Sequence, residues 1–197
     1  MVMDKVRYYL ALAMLAVVPP TILYWFSIHP FVRFWRRLGV RLTFFIHYAA
    51  MIALIVPIFL FGKPLLSADF GTNPILIGLG ILLLVVSVTL RRRVTKHLRH
   101  SILVGVPELA PEERGTPLLT EGVYSRIRHP RYVQLFLAVI GYALLCNYLA
   151  VYLLIPVLAA MLYFVIRFEE RELLQRFGAE YEAYCARVPR FIPNLHR

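Results

Sequence analysis

The chain has 197 residues, of which 60% are apolar and 17% charged, and its formal net charge is +11. Soluble domains hold about 45–50% apolar and about 25% charged residues, so this composition argues against a soluble enzyme, a disordered chain or a disulfide-stapled module. Cys146 and Cys185 form neither a C-x-x-C nor a zinc pattern, so no metal site is expected.

A bilayer core of about 30 Å takes about 20 apolar helical residues to cross. Residues 8–28, 42–61 and 74–90 carry no charge, and each reads as a spanning helix. Pro19 and Pro20 should kink or break the first, and Pro57 should disturb the second near its end. The first span is too long for a signal peptide and lacks a small-x-small cleavage site, so it is kept as structure. Gly78 and Gly80, inside the third, predict close helix packing. The next uncharged run, 132–166, would be about 52 Å long as one helix. It should therefore fold back at Asn147 into two helices, 132–146 and 148–166. The expected fold class is an all-α integral membrane protein with about five transmembrane helices and a C-terminal helical hairpin. It forms a single domain, 1–197. Residues 1–90 supply three helices, 91–131 a cytoplasmic segment, 132–166 the hairpin and 167–197 a cytoplasmic tail.

Five crossings sort the charges. Of 22 Lys and Arg, 19 fall on the side holding 33–41, 91–131 and the tail, against three on the other. The positive-inside rule places the first side in the cytoplasm, which in a prokaryotic cell makes this an inner-membrane protein. Arg91, Arg92, Arg93, Lys96 and Arg99 then serve as anchors at anionic lipid headgroups rather than as a nucleic-acid surface.

The chemistry-bearing residues flank the hairpin. A helical hairpin returns its two ends to one face of the membrane, so Arg128, His129 and Tyr132 should meet Arg167, Glu169 and Glu170. Pro130 suits the first position of a helix, which puts His129 near its N-cap. The backbone N–H groups of that helix start favour an anion. Leu173, Phe177, Tyr181, Tyr184 and Val188 share one helical face, which should pack onto the membrane domain. The same aromatics offer walls for a flat ring. Gly178 is placed to divide that helix.

Three patterns, G-x-Y-x-x-x-R-H-P-x-Y at 122–132, E-E-x-x-L-x-x-x-F-G-x-x-Y-x-x-Y at 169–184 and V-P-x-x-I-P at 188–193, resemble the isoprenylcysteine carboxyl methyltransferases. They resemble the related phospholipid methyltransferases more loosely. The resemblance covers residues 115–195. It implies a membrane enzyme that binds S-adenosyl-L-methionine on cytoplasmic helices, releases S-adenosyl-L-homocysteine, and takes a lipophilic or prenylated substrate sideways from the membrane lipids. The cofactor positions it implies are Thr116, Leu118, Leu119, Tyr124, His129, Pro130, Tyr132 and Glu169, joined by Tyr181 and Tyr184. It implies an arginine for the acceptor carboxylate; Arg167 is the nearest candidate, with Arg128 and Arg190 as alternatives. A carboxylate needs no general base, whereas an amine acceptor would need one such as Glu170 or His129. Gln134 stands where the family commonly has glycine. The expected activity is carboxyl O-methylation. The alternatives are phospholipid N-methylation and a non-enzymatic scaffold on a methyltransferase frame.

Overall fold

The computed structural model describes residues 2–28, 30–96 and 117–194. Among them the chain is helical, with no β-structure beyond an isolated bridge between Asp69 and Tyr148. The helices are α1 (Val2–Ile28), α2 (Val32–Leu60), α3 (Gly62–Leu65), α4 (Pro74–Thr95), α5 (Pro130–Cys146), α6 (Leu149–Phe177) and α7 (Ala179–Arg187), with a 3-10 turn at Gly122–Ser125 before α5. Helices α1, α2, α4 and α6 are long and apolar enough to cross a bilayer, and α5 is a shorter apolar helix. At 1.5 Å per residue α5 is about 26 Å long. It packs along α4 and folds back against α6, while α1 covers both members of the hairpin.

Of the kink or break predicted at Pro19-Pro20, the break does not occur: α1 runs through both prolines. Each proline deprives a carbonyl one turn earlier of its donor. Packing holds the helix together: Ala11, Leu12, Leu15 and Val18 are buried in one cluster with Val139, Ala143, Val151 and Leu158 of the hairpin. The Thr21 hydroxyl also donates to the Val17 carbonyl at 2.7 Å. Pro57 likewise leaves α2 unbroken. The interruption in α2 comes at Gly39, whose φ of 77° belongs to the left-handed region that favours glycine.

The turn at Asn147 forms as expected. Asn147 closes α5 in the left-handed conformation, with φ 57°. Its side-chain amide donates to the Gly71 carbonyl at 2.8 Å, and its Oδ1 accepts from the Tyr152 hydroxyl at 2.9 Å. The 66–73 loop is stitched to this turn by Phe70 N–H to Asn147 O and Leu149 N–H to Ala68 O. Arg7 of α1, only 1% exposed, donates to the Cys146 carbonyl at 3.0 Å, to Thr72 Oγ1 at 3.3 Å and to the Asp69 carboxylate. The N-terminus, the 62–73 loop and the hairpin turn thus share one end of the bundle, as the charge sorting required.

Of the two glycines singled out in α4, one packs and one does not. A Cβ on Gly80 would lie 2.7 Å from the Gly141 carbonyl oxygen of α5, so the two backbones touch there. Gly78 has nothing within 4 Å of its Cβ position, which corrects the expectation that it packs. Farther along the same interface Gln134 is used as a clasp: Ser87 Oγ donates to its carbonyl at 3.0 Å, and its side-chain amide donates back to Ser87 Oγ at 3.1 Å.

Candidate active site

The site lies at the other end of the bundle, where α5 begins and the apolar part of α6 gives way, after Ile166, to charged residues. Pro130 occupies the first turn of α5 and His129 its N-cap, as the sequence predicts. The imidazole does not cap the helix. It turns to α6, with Nε2 3.1 Å from Glu170 Oε1 and Nδ1 3.8 Å from Glu169 Oε2.

Glu170 is the hub. Arg128 Nη2 donates to its Oε1 at 3.1 Å, and Arg190 grips it with Nε at 2.9 Å and Nη2 at 2.6 Å. Such two-pronged guanidinium–carboxylate pairs are among the stronger hydrogen-bonded contacts. Burial by itself would raise the Glu170 carboxyl. Hydrogen bonds from His129 and Arg190 outweigh it and hold the group at about 2. Arg190 is brought in by the strap 188–191. Its backbone accepts from the Arg128 N–H at Pro189 O, 2.9 Å, and from the His129 N–H at Arg190 O, 3.1 Å. The strap also sets Phe191 beside the His129 ring, with centroids 6.2 Å apart.

Gly178, with φ 52°, separates α6 from α7, as expected. Beyond it Tyr181, Tyr184 and Val188 are buried together, packed against Leu173, Phe177, Leu118 and Cys185. The apolar face read from spacing is therefore real, and Leu118 joins it from the stretch before α5. The Tyr184 hydroxyl donates to the Tyr124 carbonyl at 2.7 Å, and burial pushes that hydroxyl up to about 12. Arg128 ties α7 down from the other side, donating through Nη1 to Cys185 O at 3.1 Å. Tyr132 is buried against Val165 and Ile166, its ring 5.8 Å from His129. Leu119 is half-buried in the same stretch as Leu118, and Thr116 lies outside the described residues.

Three buried polar atoms have no hydrogen-bond partner among the described residues: Arg128 Nε, Glu169 Oε2 and the Tyr181 hydroxyl. All belong to this one neighbourhood. Each such orphan costs about 1–3 kcal/mol, so three together fit a site that completes its bonds with a polar ligand. Arg167 is placed differently. It is exposed on α6, and Glu170, one turn on, is held by Arg128, His129 and Arg190 instead.

The phospholipid methyltransferase family matches residues 75–180, more than half of the chain. The chain belongs to the phospholipid methyltransferase family. The matched span runs from α4 to the start of α7 and contains Tyr124, Arg128, His129, Tyr132, Glu169 and Glu170. A nickel-cobalt-cadmium resistance protein of Alcaligenes xylosoxydans xylosoxydans is 32% identical over 42% of this chain and 38% of its own length. A protein-S-isoprenylcysteine O-methyltransferase of Xenopus laevis is 44% identical over 40% of this chain and 27% of its own length. A Delta(14)-sterol reductase of Mus musculus is 30% identical over 45% of this chain and 22% of its own length. The chain thus spans well under half the length of each of these relatives.

Two contributions were not visible in the sequence reading. The carbonyl of Cys185 as an arginine acceptor has no sequence signal. Trp25 of α1, under Arg131, lies more than a hundred residues away from it. The grip of Arg190 on Glu170 had a partial signal in the V-P-x-x-I-P pattern.

Proposed function

We propose that this chain transfers a methyl group from S-adenosyl-L-methionine to the carboxylate of a lipophilic acceptor, isoprenylcysteine-like in chemistry, at the cytoplasmic face of the membrane. The observation that carries the reading is the set of orphaned buried polar atoms at Arg128, Glu169 and Tyr181. They suit a zwitterionic, many-donor cofactor better than a lipid headgroup alone. Glu169, Tyr181 and His129 would hold it, with Tyr124, Tyr132, Pro130, Leu118 and Leu119 shaping the walls. Bound there, the cofactor supplies an electrophilic methyl group on a sulfonium, whose sulfur keeps the bonding pair as the new C–O bond forms.

The protein's own share is positioning and drying. The α7 aromatics and the strap 188–191 would close over the bound cofactor and acceptor, and the water they exclude would strengthen each charge contact inside. No side chain needs to take a proton, because a carboxylate acceptor arrives ionised. Glu170 supports that choice. Held at about 2 by its cations, it is a weak base for the ammonium of an aminophospholipid. Its service is to fix Arg128, His129 and Arg190 in place. The phospholipid N-methyltransferase alternative draws on the family match and would assign the proton to His129.

Membranes containing the chain, supplied with methyl-labelled S-adenosyl-L-methionine, test the reading. Label released from the lipid extract by mild base as methanol is expected. Base-stable label in phospholipid headgroups would establish N-methylation instead. No transfer, together with no binding of S-adenosyl-L-homocysteine to the purified chain, would leave the scaffold reading.

A further inference from the structure

We propose that the start of α2, residues 31–41, is a docking surface for anionic phospholipids, with Arg33, Arg37 and Arg41 on the headgroups and Phe31 and Phe34 in the acyl boundary. The proposal is independent of which acceptor the chain methylates. The segment is a short helix in its own right. Gly39, with φ 77° and ψ 162°, interrupts α2 and sets 32–38 off from the spanning part. At helical spacing Phe31, Phe34 and Leu38 fall on one side of it, and Arg33 and Arg37 on the other. The segment is held in place. The Trp35 indole donates to the Ser27 carbonyl near the end of α1 at 3.0 Å, and the buried Thr43 hydroxyl lies 3.2 Å from Trp35 O and 2.8 Å from Gly39 O. The same end of α1 is packed beside the candidate site, where Trp25 meets Tyr132, Val165 and Ile166. The segment therefore belongs to the site's end of the bundle.

Charge and exposure together say what covers it. Arg33, Arg37 and Arg41 are exposed and enter no ion pair among the described residues. The sequence around them supplies no counter-charge, since no acidic residue stands between Asp4 and Asp69. Like charges at i and i+4 on a helix repel, so Arg33 and Arg37 call for an anion from outside. On the other side Phe31 is 61% and Phe34 54% exposed. A soluble acidic partner or a nucleic acid would meet the arginines and leave both rings in water. A lipid leaflet meets both at once, with phosphates for the cations and acyl carbons for the rings. The basic end of α4 lacks the second half of that pattern. Arg91, Arg92 and Arg93 are exposed, but the apolar residue beside them, Val94, is buried in the protein.

The chain holds two tryptophans, Trp25 and Trp35, so Trp25→Phe leaves Trp35 as a reporter inside the segment. The full chain with Trp25→Phe is reconstituted in phosphatidylcholine bilayers holding a minor fraction of phosphatidylglycerol, with bromine on the acyl chains of one lipid or the other. Trp35 fluorescence should be quenched as though phosphatidylglycerol were enriched beside it about 5- to 30-fold, the effect of one to two arginines at such a surface. Added salt should reduce the enrichment. Changing Arg33, Arg37 and Arg41 together to glutamine should abolish it, with quenching by phosphatidylcholine unaltered. Changing the same three to lysine should keep it. Equal quenching by the two lipids in the Trp25→Phe chain overturns the proposal before any arginine is changed. Enrichment that survives the glutamine variant overturns it. So does an equal fall when Arg91, Arg92 and Arg93 are changed to glutamine instead, since the basic surface would then act diffusely. Loss in the lysine variant overturns it as well, because the charge there is intact.

Discussion

Two arginines, Arg7 buried and Arg128 half-buried, stand at opposite ends of α5, and they are used in opposite ways. At the Asn147 end Arg7 spends its donors on Cys146 O, Thr72 and Asp69, with Asp4 at 3.5 Å, and its guanidinium lies 5.2 Å from the Tyr148 ring centre. No buried side-chain atom at that end is left without a partner among the described residues. At the Pro130 end Arg128 reaches Glu170 and Cys185 O, but its Nε is unmatched, as are Glu169 Oε2 and the Tyr181 hydroxyl. A closed polar cluster fastens helices together. An open one keeps bonds in reserve for something that arrives later. Charge and burial alone do not separate the two ends; counting unmet hydrogen bonds does.

The comparison can be broken from its closed end first. Arg7→Ala removes the partner of Asp69 and of a buried carbonyl. Asp69 is left partly exposed to solvent, so the main loss is the unpaired buried carbonyl, about 1–3 kcal/mol, and thermal unfolding in detergent should shift by several degrees. The folded fraction should still bind S-adenosyl-L-homocysteine with unaltered affinity. A normal melting temperature would mean that the Arg7 cluster does not fasten this end.

Glu169→Gln should behave in the reverse way. Binding of S-adenosyl-L-homocysteine, read by isothermal titration, should weaken about 10- to 100-fold, with little change in melting temperature. His129→Ala should fall in the same direction. Unchanged affinity in either would detach the open cluster from the cofactor.

Acid sharpens the contrast. The Glu170 carboxyl is lowered from 4.5 to about 2. Its stabilisation is therefore complete above about 4.5 and is lost as pH falls towards about 2. Melting temperature should drop through that window in the wild type and drop less in Glu170→Gln. Asp69 is also lowered, since Arg7 and the Gly71 N–H outweigh its burial, so some acid dependence should survive in the variant.

The smallest expected effect is at neither end. Ser87→Ala removes the clasp to Gln134 between α4 and α5, where interhelical bonds in membranes average about 0.6 kcal/mol. A small drop in melting temperature with normal cofactor affinity should follow. A large one would mean that α4 hangs on this clasp more than on the contact of Gly80 with Gly141.

Much of this was legible in the chain because the bilayer imposes simple rules. Uncharged length gave the helices, and the 35-residue run could only fold back, which put residue 128 near residue 170. Pro130, His129 and Gly178 took the positions their backbone chemistry dictates. Propensity misled at Pro19-Pro20, where packing on the hairpin kept α1 whole, and at Gly78, which faces open space. Helix α2 was found by its apolar length from residue 42, but its extension back to Val32 and its irregular point at Gly39 were not, because 33–41 carries Arg33, Arg36, Arg37 and Arg41 and so reads as lying outside the span.

By itself, then, the sequence determined the number of long apolar helices, the turn at Asn147, the end at which the charged motif residues gather and the family they resemble. These follow from hydrophobic length and from local backbone preference, which neighbours in sequence carry. The tertiary structure alone decided which cation holds which carboxylate. Glu170 chose Arg128, His129 and Arg190 over Arg167, and Arg131 found Trp25 on α1. Those choices depend on how helices distant in sequence are rotated against one another, and ion pairing reads distance in space, not order along the chain.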